Sequence, residues 1–323
     1  MDLNESYRFQ GWHIRYRLAS PTSAPTTGPS SVKNVVFVHG TPWSSAVFQP
    51  VVEALLAKGS YRILVYDLPG YGESQGYEPM PGAASRNGFS GDTSVKFQAY
   101  ALSALLKHAR LDGNEGQPVP AVIAHDIAGA IVLRAHLLEG CEFDSMMLVD
   151  TNAVLPWGDG FFKLVRSEPQ PFLRLPPKIF EAMVRAVIRS ACHNPKILQA
   201  GWEDRLARYW TESPSDAAEP ADGQRNFIRQ IAQANDADVA EMLEGNMYAG
   251  ARCDVKIVWG EQDQWIPREK VEELIMRLNG KVKERAFIPE AGHLVMLDQP
   301  ARFAIEVFDW LTRFGSARGL DTF

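Results

Sequence analysis

One aspartate in this chain stands in a setting that suits a nucleophile. Asp126 lies within Val122-Ile123-Ala124-His125-Asp126-Ile127-Ala128-Gly129-Ala130, where an apolar run passes directly into a helix-compatible one. Ala124, Ala128 and Gly129 put small residues two before, two after and three after it. That is the steric pattern of a nucleophile elbow, a strained strand-to-helix turn that lifts its central side chain out of a sheet. The usual central residue is Ser; here it is Asp. An Asp at a helix start is also a good N-cap favoured by the helix dipole, and in isolation that role would account for it.

Its company points to catalysis. Upstream, His39-Gly40-Thr41-Pro42-Trp43 closes an apolar run, followed by the glycine-rich Asp67-Leu68-Pro69-Gly70-Tyr71-Gly72-Glu73-Ser74. Downstream come Trp259-Gly260-Glu261-Gln262-Asp263-Gln264-Trp265-Ile266-Pro267 and Pro289-Glu290-Ala291-Gly292-His293. Nucleophile, then acid, then His is one of the known chain orders of a hydrolytic triad. The backbone N–H groups of Thr41 and Ile127 are the expected oxyanion donors. Asp263 is the expected acid, on the whole pattern W-G-x-x-D-x-x-I-P, with Asp150 at the end of an earlier apolar run as its competitor.

A carboxylate nucleophile narrows the reaction. Attack on an ester or amide carbonyl would give a high-energy anhydride, whereas displacement at a saturated carbon gives an alkyl ester of Asp126. His293, oriented by Asp263, would then activate water against that ester.

These residues need a scaffold, and the hydrophobic pattern supplies one. Short apolar runs at 35–38, 61–66, 121–124, 146–149, 255–259 and 282–288 read as buried strands. Helical segments at 47–58, 94–109, 127–139, 268–278 and 301–314 separate them. Strands joined through helices imply parallel pairing by right-handed crossovers. A Pro/Ser/Thr-rich loop is expected over 20–31. Between 155 and 252 the chain turns helical, aromatic and proline-punctuated, which reads as a helical lid inserted into a core of residues 1–154 and 253–323.

Composition excludes several classes. The 323 residues are 46% hydrophobic and 22% charged, enough for a full core, and the net charge of −6 comes with no basic run to follow a phosphate backbone. Nucleic acid is a poor candidate partner. Cys141, Cys192 and Cys253 have no C-x-x-C spacing and read as buried small hydrophobes rather than as a disulfide or zinc framework. No stretch approaches the roughly 20 apolar residues of a membrane span, and the first residues lack a basic region followed by an apolar one. A soluble, cytoplasmic enzyme acting on a small molecule is the expectation, without metal or organic cofactor. The oligomeric state is left open, a homodimer included.

At these motifs the chain resembles the α/β-hydrolase superfamily, over nearly all of its length outside the helical stretch. The resemblance implies an α/β fold with a mostly parallel eight-stranded sheet and a triad at its carboxyl edge. An Asp at the elbow is similar to epoxide hydrolases, haloalkane dehalogenases and fluoroacetate dehalogenases. Epoxide opening is the first expectation and carbon–halogen hydrolysis the second. Non-hydrolytic lyase or oxygenase chemistry, and ligand binding without turnover, stand behind them. The resemblance suggests Tyr209 and Tyr248 as proton donors, although the second family tyrosine would fall near Phe227-Ile228-Arg229. Dehalogenases place Trp or Arg directly after the nucleophile, where this chain has Ile127. Trp43, Trp157 and Trp265 are candidate N–H donors, and His39 and Leu294 complete the expected pocket.

Overall fold

The computed structural model describes residues 2–20, 32–82, 88–114, 118–158, 160–212 and 222–313. The loop expected over 20–31 and the helix end at 314 fall mostly outside them. Eight strands form one sheet: β1 (Glu5–Phe9), β2 (Trp12–Ala19), β3 (Lys33–Val38), β4 (Tyr61–Tyr66), β5 (Ala121–His125), β6 (Ser145–Val149), β7 (Asp254–Gly260) and β8 (Val282–Ile288). Their spatial order is β1-β2-β4-β3-β5-β6-β7-β8. The junctions from β4 to β8 are parallel, as the strand-helix alternation requires, while β2 runs antiparallel to both β1 and β4.

The β1–β2 hairpin was not among the expected strands. Its signal is alternation: Trp12, Ile14 and Tyr16 face the core while His13, Arg15 and Arg17 stay partly exposed. Phe9 pairs with Trp12, so Gln10 and Gly11 make the whole turn, both at positive φ as a two-residue hairpin loop demands.

In the core, α1 (Gln49–Lys58) follows β3, and α2 (Val95–His108) starts at Ser94, whose hydroxyl accepts from the Phe97 N–H. Next come α3 (Ile127–Leu137) and, between β6 and β7 among the described residues, six α-helices: α4 (Gly160–Ser167), α5 (Pro169–Leu173), α6 (Pro177–Ser190), α7 (Trp202–Thr211), α8 (Asp222–Gln233) and α9 (Ala237–Glu244). No strand interrupts them among the described residues. The chain closes with α10 (Arg268–Arg277), α11 (Val295–Asp298) and α12 (Pro300–Arg313). α1 packs on α12 and α2 on α3.

Every residue of β5 and β6 is buried, which is why both read as unbroken apolar runs. The three cysteines are free and buried. No helix among the described residues is long and apolar enough to cross a membrane. In the sheet register Val38 lies beside Ala124, His125 beside Val149, and Val149 beside Val258. The loops after β3, β5, β6 and β7 therefore open side by side at one edge, and this edge carries the chemistry.

Candidate active site

Asp126 leaves β5 at φ 57°, ψ −127°, a strained conformation for a non-glycine residue, and α3 begins at the next residue. Two glycines make the turn possible. A Cβ on Gly129 would lie 2.1 Å from Thr151 Cγ2, so α3 approaches the end of β6 closer than any side chain allows. A Cβ on Gly40 would lie 2.5 Å from Asp126 Cβ. The loop after β3 is thus drawn against the carboxylate, and the Thr41 N–H donates to Asp126 Oδ2 at 2.8 Å.

His293 follows β8 and is fully buried. Its Nδ1 lies 2.9 Å from Asp263 Oδ2, and its Nε2, which has no hydrogen-bond partner, faces Asp126 Oδ1 at 3.7 Å. The other Asp263 oxygen accepts from the N–H groups of Trp265 and Ile266 at 2.7 and 3.0 Å, fixing the carboxylate toward the imidazole. Asp150 makes no such contact. Its Oδ1 accepts from the Gly260 N–H at 2.7 Å and its Oδ2 has no partner.

The electrostatics follow from burial and spacing. Burial alone would lower the pKa of His293, but the Asp263 carboxylate, helped by Asp126 and Asp150, pushes it up to about 9. Burial raises the pKa of Asp126, opposed by His293 and by the N–H groups of Ile127 and Thr41. Asp150, buried near the charge of Asp263, is held well above the usual carboxylate range.

A cavity of about 570 Å³, its open mouth included, lies over Asp126. Of the pocket residues expected from sequence, Trp157 and Trp265 line it, together with Thr41 and Ile127. Trp265 stacks on His293 at 4.7 Å, and Trp43 stands behind Trp265 at 5.7 Å. The remaining four lie elsewhere. His39 is wholly buried: its Nδ1–H donates to the Gly40 carbonyl at 2.9 Å and its Nε2 accepts from the Leu68 N–H at 3.0 Å, so it ties two loops together. Leu294 is core. Tyr209 Oη contacts Arg208 and Glu73, and Tyr248 Oη donates to the Ala153 carbonyl at 2.6 Å. Neither tyrosine reaches the cavity.

Two side chains that sequence reasoning passed over stand at the site instead. Gln230 on α8 is 1% exposed and lines the cavity. Its Oε1 accepts from Tyr71 Oη at 2.9 Å and from Thr41 Oγ1 at 3.1 Å, which leaves its Nε2 without a partner. Tyr71 could have been picked out from the glycine-rich turn that carries it. Gln230 has no sequence signal of its own, although it directly follows the stretch where a family tyrosine was sought. No group of three or more His, Cys, Asp or Glu side chains among the described residues is placed to hold a metal ion.

A mostly parallel eight-stranded sheet flanked by helices, with an aspartate elbow after β5, an acid after β7 and a histidine after β8 at one edge, is the architecture of an α/β-hydrolase. The chain belongs to the alpha/beta hydrolase family, whose sequence profile it matches over residues 35–307, and this membership implies a hydrolase. It is similar to an alpha/beta hydrolase fold protein from Burkholderia ambifaria at 30% identity and TM-score 0.78, covering 96% of this chain and 98% of that one. A thermophilic esterase from Thermogutta terrifontis shares the fold at 18% identity and TM-score 0.67, over 96% and 99% of the two chains. So does an enol-lactonase from Burkholderia xenovorans at 14% identity and TM-score 0.65, over 95% and 100%. Among curated proteins none matches the chain.

Proposed function

We propose that the chain hydrolyses a small, mainly apolar substrate by displacement at a saturated carbon, with Asp126 as nucleophile, His293 as general base and Asp263 as the acid that orients it. The helices between β6 and β7 act as a lid that covers the cavity and limits water. One observation carries this reading: Asp126 has one oxygen held by the Thr41 N–H and the other turned to an unpartnered His293 Nε2.

In the first step Asp126 Oδ1 bonds to the substrate carbon as the bond to the leaving group breaks and its electron pair departs with that group. The product is an alkyl ester, and its formation removes the negative charge of Asp126. His293 then loses one of the charges that hold its proton, so its pKa falls and more of it is neutral and able to accept a proton when a base is needed. It takes a proton from water, whose oxygen attacks the Asp126 carboxyl carbon, and the tetrahedral oxyanion rests on the Thr41 and Ile127 N–H groups. Collapse releases the alcohol, which takes the proton from His293.

Epoxide opening is the form of this reaction that the resemblance suggests, and it needs a proton for the alkoxide. A second form, loss of a weakly basic anion such as a halide, is favoured by a specific observation: both lid tyrosines are engaged elsewhere, while Gln230 Nε2 lacks a partner. A halide needs hydrogen bonds and no proton.

The test is intact-mass analysis of His293→Gln after exposure to a panel of epoxides and haloalkanes that wild type consumes. A stable gain of a whole epoxide supports ring opening, and a gain of the alkyl group without its halogen supports dehalogenation, with the label on Asp126 in each case. No adduct from a consumed substrate sinks the covalent mechanism.

A further inference from the structure

Arg166 on α4 is a feature that the proposed reaction does not use. Among the described residues it is the only Lys or Arg lining the cavity. Its Nη1 donates to Asp236 Oδ1 at 2.5 Å and its Nη2 to the Trp157 carbonyl at 3.2 Å, so the guanidinium is held from two sides. Its Nε is shielded from solvent and has no partner. The indole Nε1 of Trp157, on the residue Arg166 touches, is likewise buried without a partner. Buried donors are nearly always satisfied, and leaving one unmade costs about 1–3 kcal/mol. Two such donors sit on contacting residues that both line the cavity, one of them part of a cation, and an acceptor bound there would satisfy them.

We propose that Arg166 and Trp157 form an anion subsite and that the substrate is a carboxylate with an apolar chain. This rests on the reading of the cavity as the substrate site of the reaction above. The unpartnered Nε–H of the guanidinium offers a carboxylate one charge-assisted hydrogen bond. A single cation, already shared with Asp236, suits a monoanion better than a phosphate dianion. Phe162, Ile231 and Ala234, which also line the cavity, give the chain of the substrate an apolar wall. Charge also sets orientation: the Asp126 carboxylate repels a second carboxylate while Arg166 attracts it, so the electrophilic carbon is the end presented to the nucleophile. Asp236, with 48% of its side chain exposed, limits the pull of Arg166 from the solvent side.

The test is calorimetric titration of the protein with hexanoate and with hexanamide, neither of which can alkylate Asp126. Hexanoate is expected to bind about tenfold tighter or more, the size of one charge-assisted contact. Arg166→Gln should bring the two ligands to within about threefold, Arg166→Lys should keep part of the preference, and Asp236→Asn should enlarge it. Equal binding of the two ligands, a preference that survives Arg166→Gln, or no hexanoate heat at about 10 mM overturns the subsite. If Arg166→Gln does not fold, Asp236→Asn decides, and an unchanged preference there overturns it as well. Because no ester forms in these titrations, their failure leaves the adduct experiment untouched, and an absent adduct leaves the titrations valid.

Discussion

His125, the residue directly before Asp126, lies with its Nε2 2.7 Å from the backbone carbonyl of His293, and the two rings pack at 4.8 Å. Burial and the neighbouring His293 hold its pKa well below the usual histidine value, so it is neutral, with its one proton on Nε2 donated to that carbonyl. Its Nδ1 has no partner. The elbow thereby braces the loop that carries the proposed base, and it does so without adding a second positive charge beside an imidazolium.

Replacing His125 with Phe leaves that carbonyl buried without its donor. A stability loss of about 1–3 kcal/mol is expected in denaturant unfolding. In single-turnover kinetics the decay of the ester should slow while its formation is retained, because only the second step uses His293. Equal slowing of both steps would show that His125 supports the elbow as a whole and not the base.

The two steps also differ in pH dependence. Ester formation needs ionised Asp126, whose pKa is raised by burial, so this step falls away on the acid side. Ester decay needs neutral His293. In the resting protein burial works against its proton, but Asp263 and Asp126 outweigh burial and push the pKa up to about 9. Alkylation neutralises Asp126, so the midpoint for decay should lie below that of the resting histidine, and the rate should rise with pH through it. Rapid-quench measurement of decay against pH, beside an NMR titration of resting His293, checks both. A decay rate that falls as pH rises rules His293 out as the base.

Asp263 and Asp150 both end at this edge of the sheet, and their surroundings assign them different work. Asp263→Asn should slow ester decay about 10²–10⁴-fold and let the adduct accumulate, since the imidazole loses the carboxylate that orients it and holds its charge. Asp150→Asn should change decay far less, because that carboxyl is hydrogen-bonded to the Gly260 N–H and not to the imidazole, and burial holds its pKa well above the usual carboxylate range. If the two variants slow decay alike, the separation of roles is wrong.

The elbow and the loops after β3, β6 and β7 were legible because each ends a strand buried along all or nearly all of its length, and a buried strand writes a continuous apolar run, whereas β8, before His293, is buried only at Ile288. The β1–β2 hairpin hid because Trp12, Ile14 and Tyr16 alternate with His13, Arg15 and Arg17, a half-buried pattern that a search for solid apolar runs passes over. Gln230 and Arg166 were not legible for another reason. Their significance lies in which atoms remain unpaired after α4 and α8 settle over the sheet edge, and spacing along the chain carries no record of that. The same limit applies to Tyr209 and Tyr248, whose residue types fit a proton donor while their hydroxyls are bonded elsewhere.

Gly129 tests whether the elbow depends on close helix packing. A Cβ there would lie 2.1 Å from Thr151 Cγ2 and 2.7 Å from Thr151 Oγ1, and Thr151 is itself buried at the end of β6. Gly129→Ala must therefore push α3 away from β6 and carry the Asp126 turn with it. Overpacking of this kind costs about 1–3 kcal/mol, against the small gain Ala normally brings inside a helix. Thr151→Ala removes both clashing atoms, so the double variant should recover part of the stability lost by Gly129→Ala alone. Denaturant unfolding of the two singles and the double gives the coupling, and neighbours in contact should depart from additivity by about 0.5–3 kcal/mol. Strict additivity would mean that Gly129 serves the turn by backbone freedom, not by letting α3 close on β6.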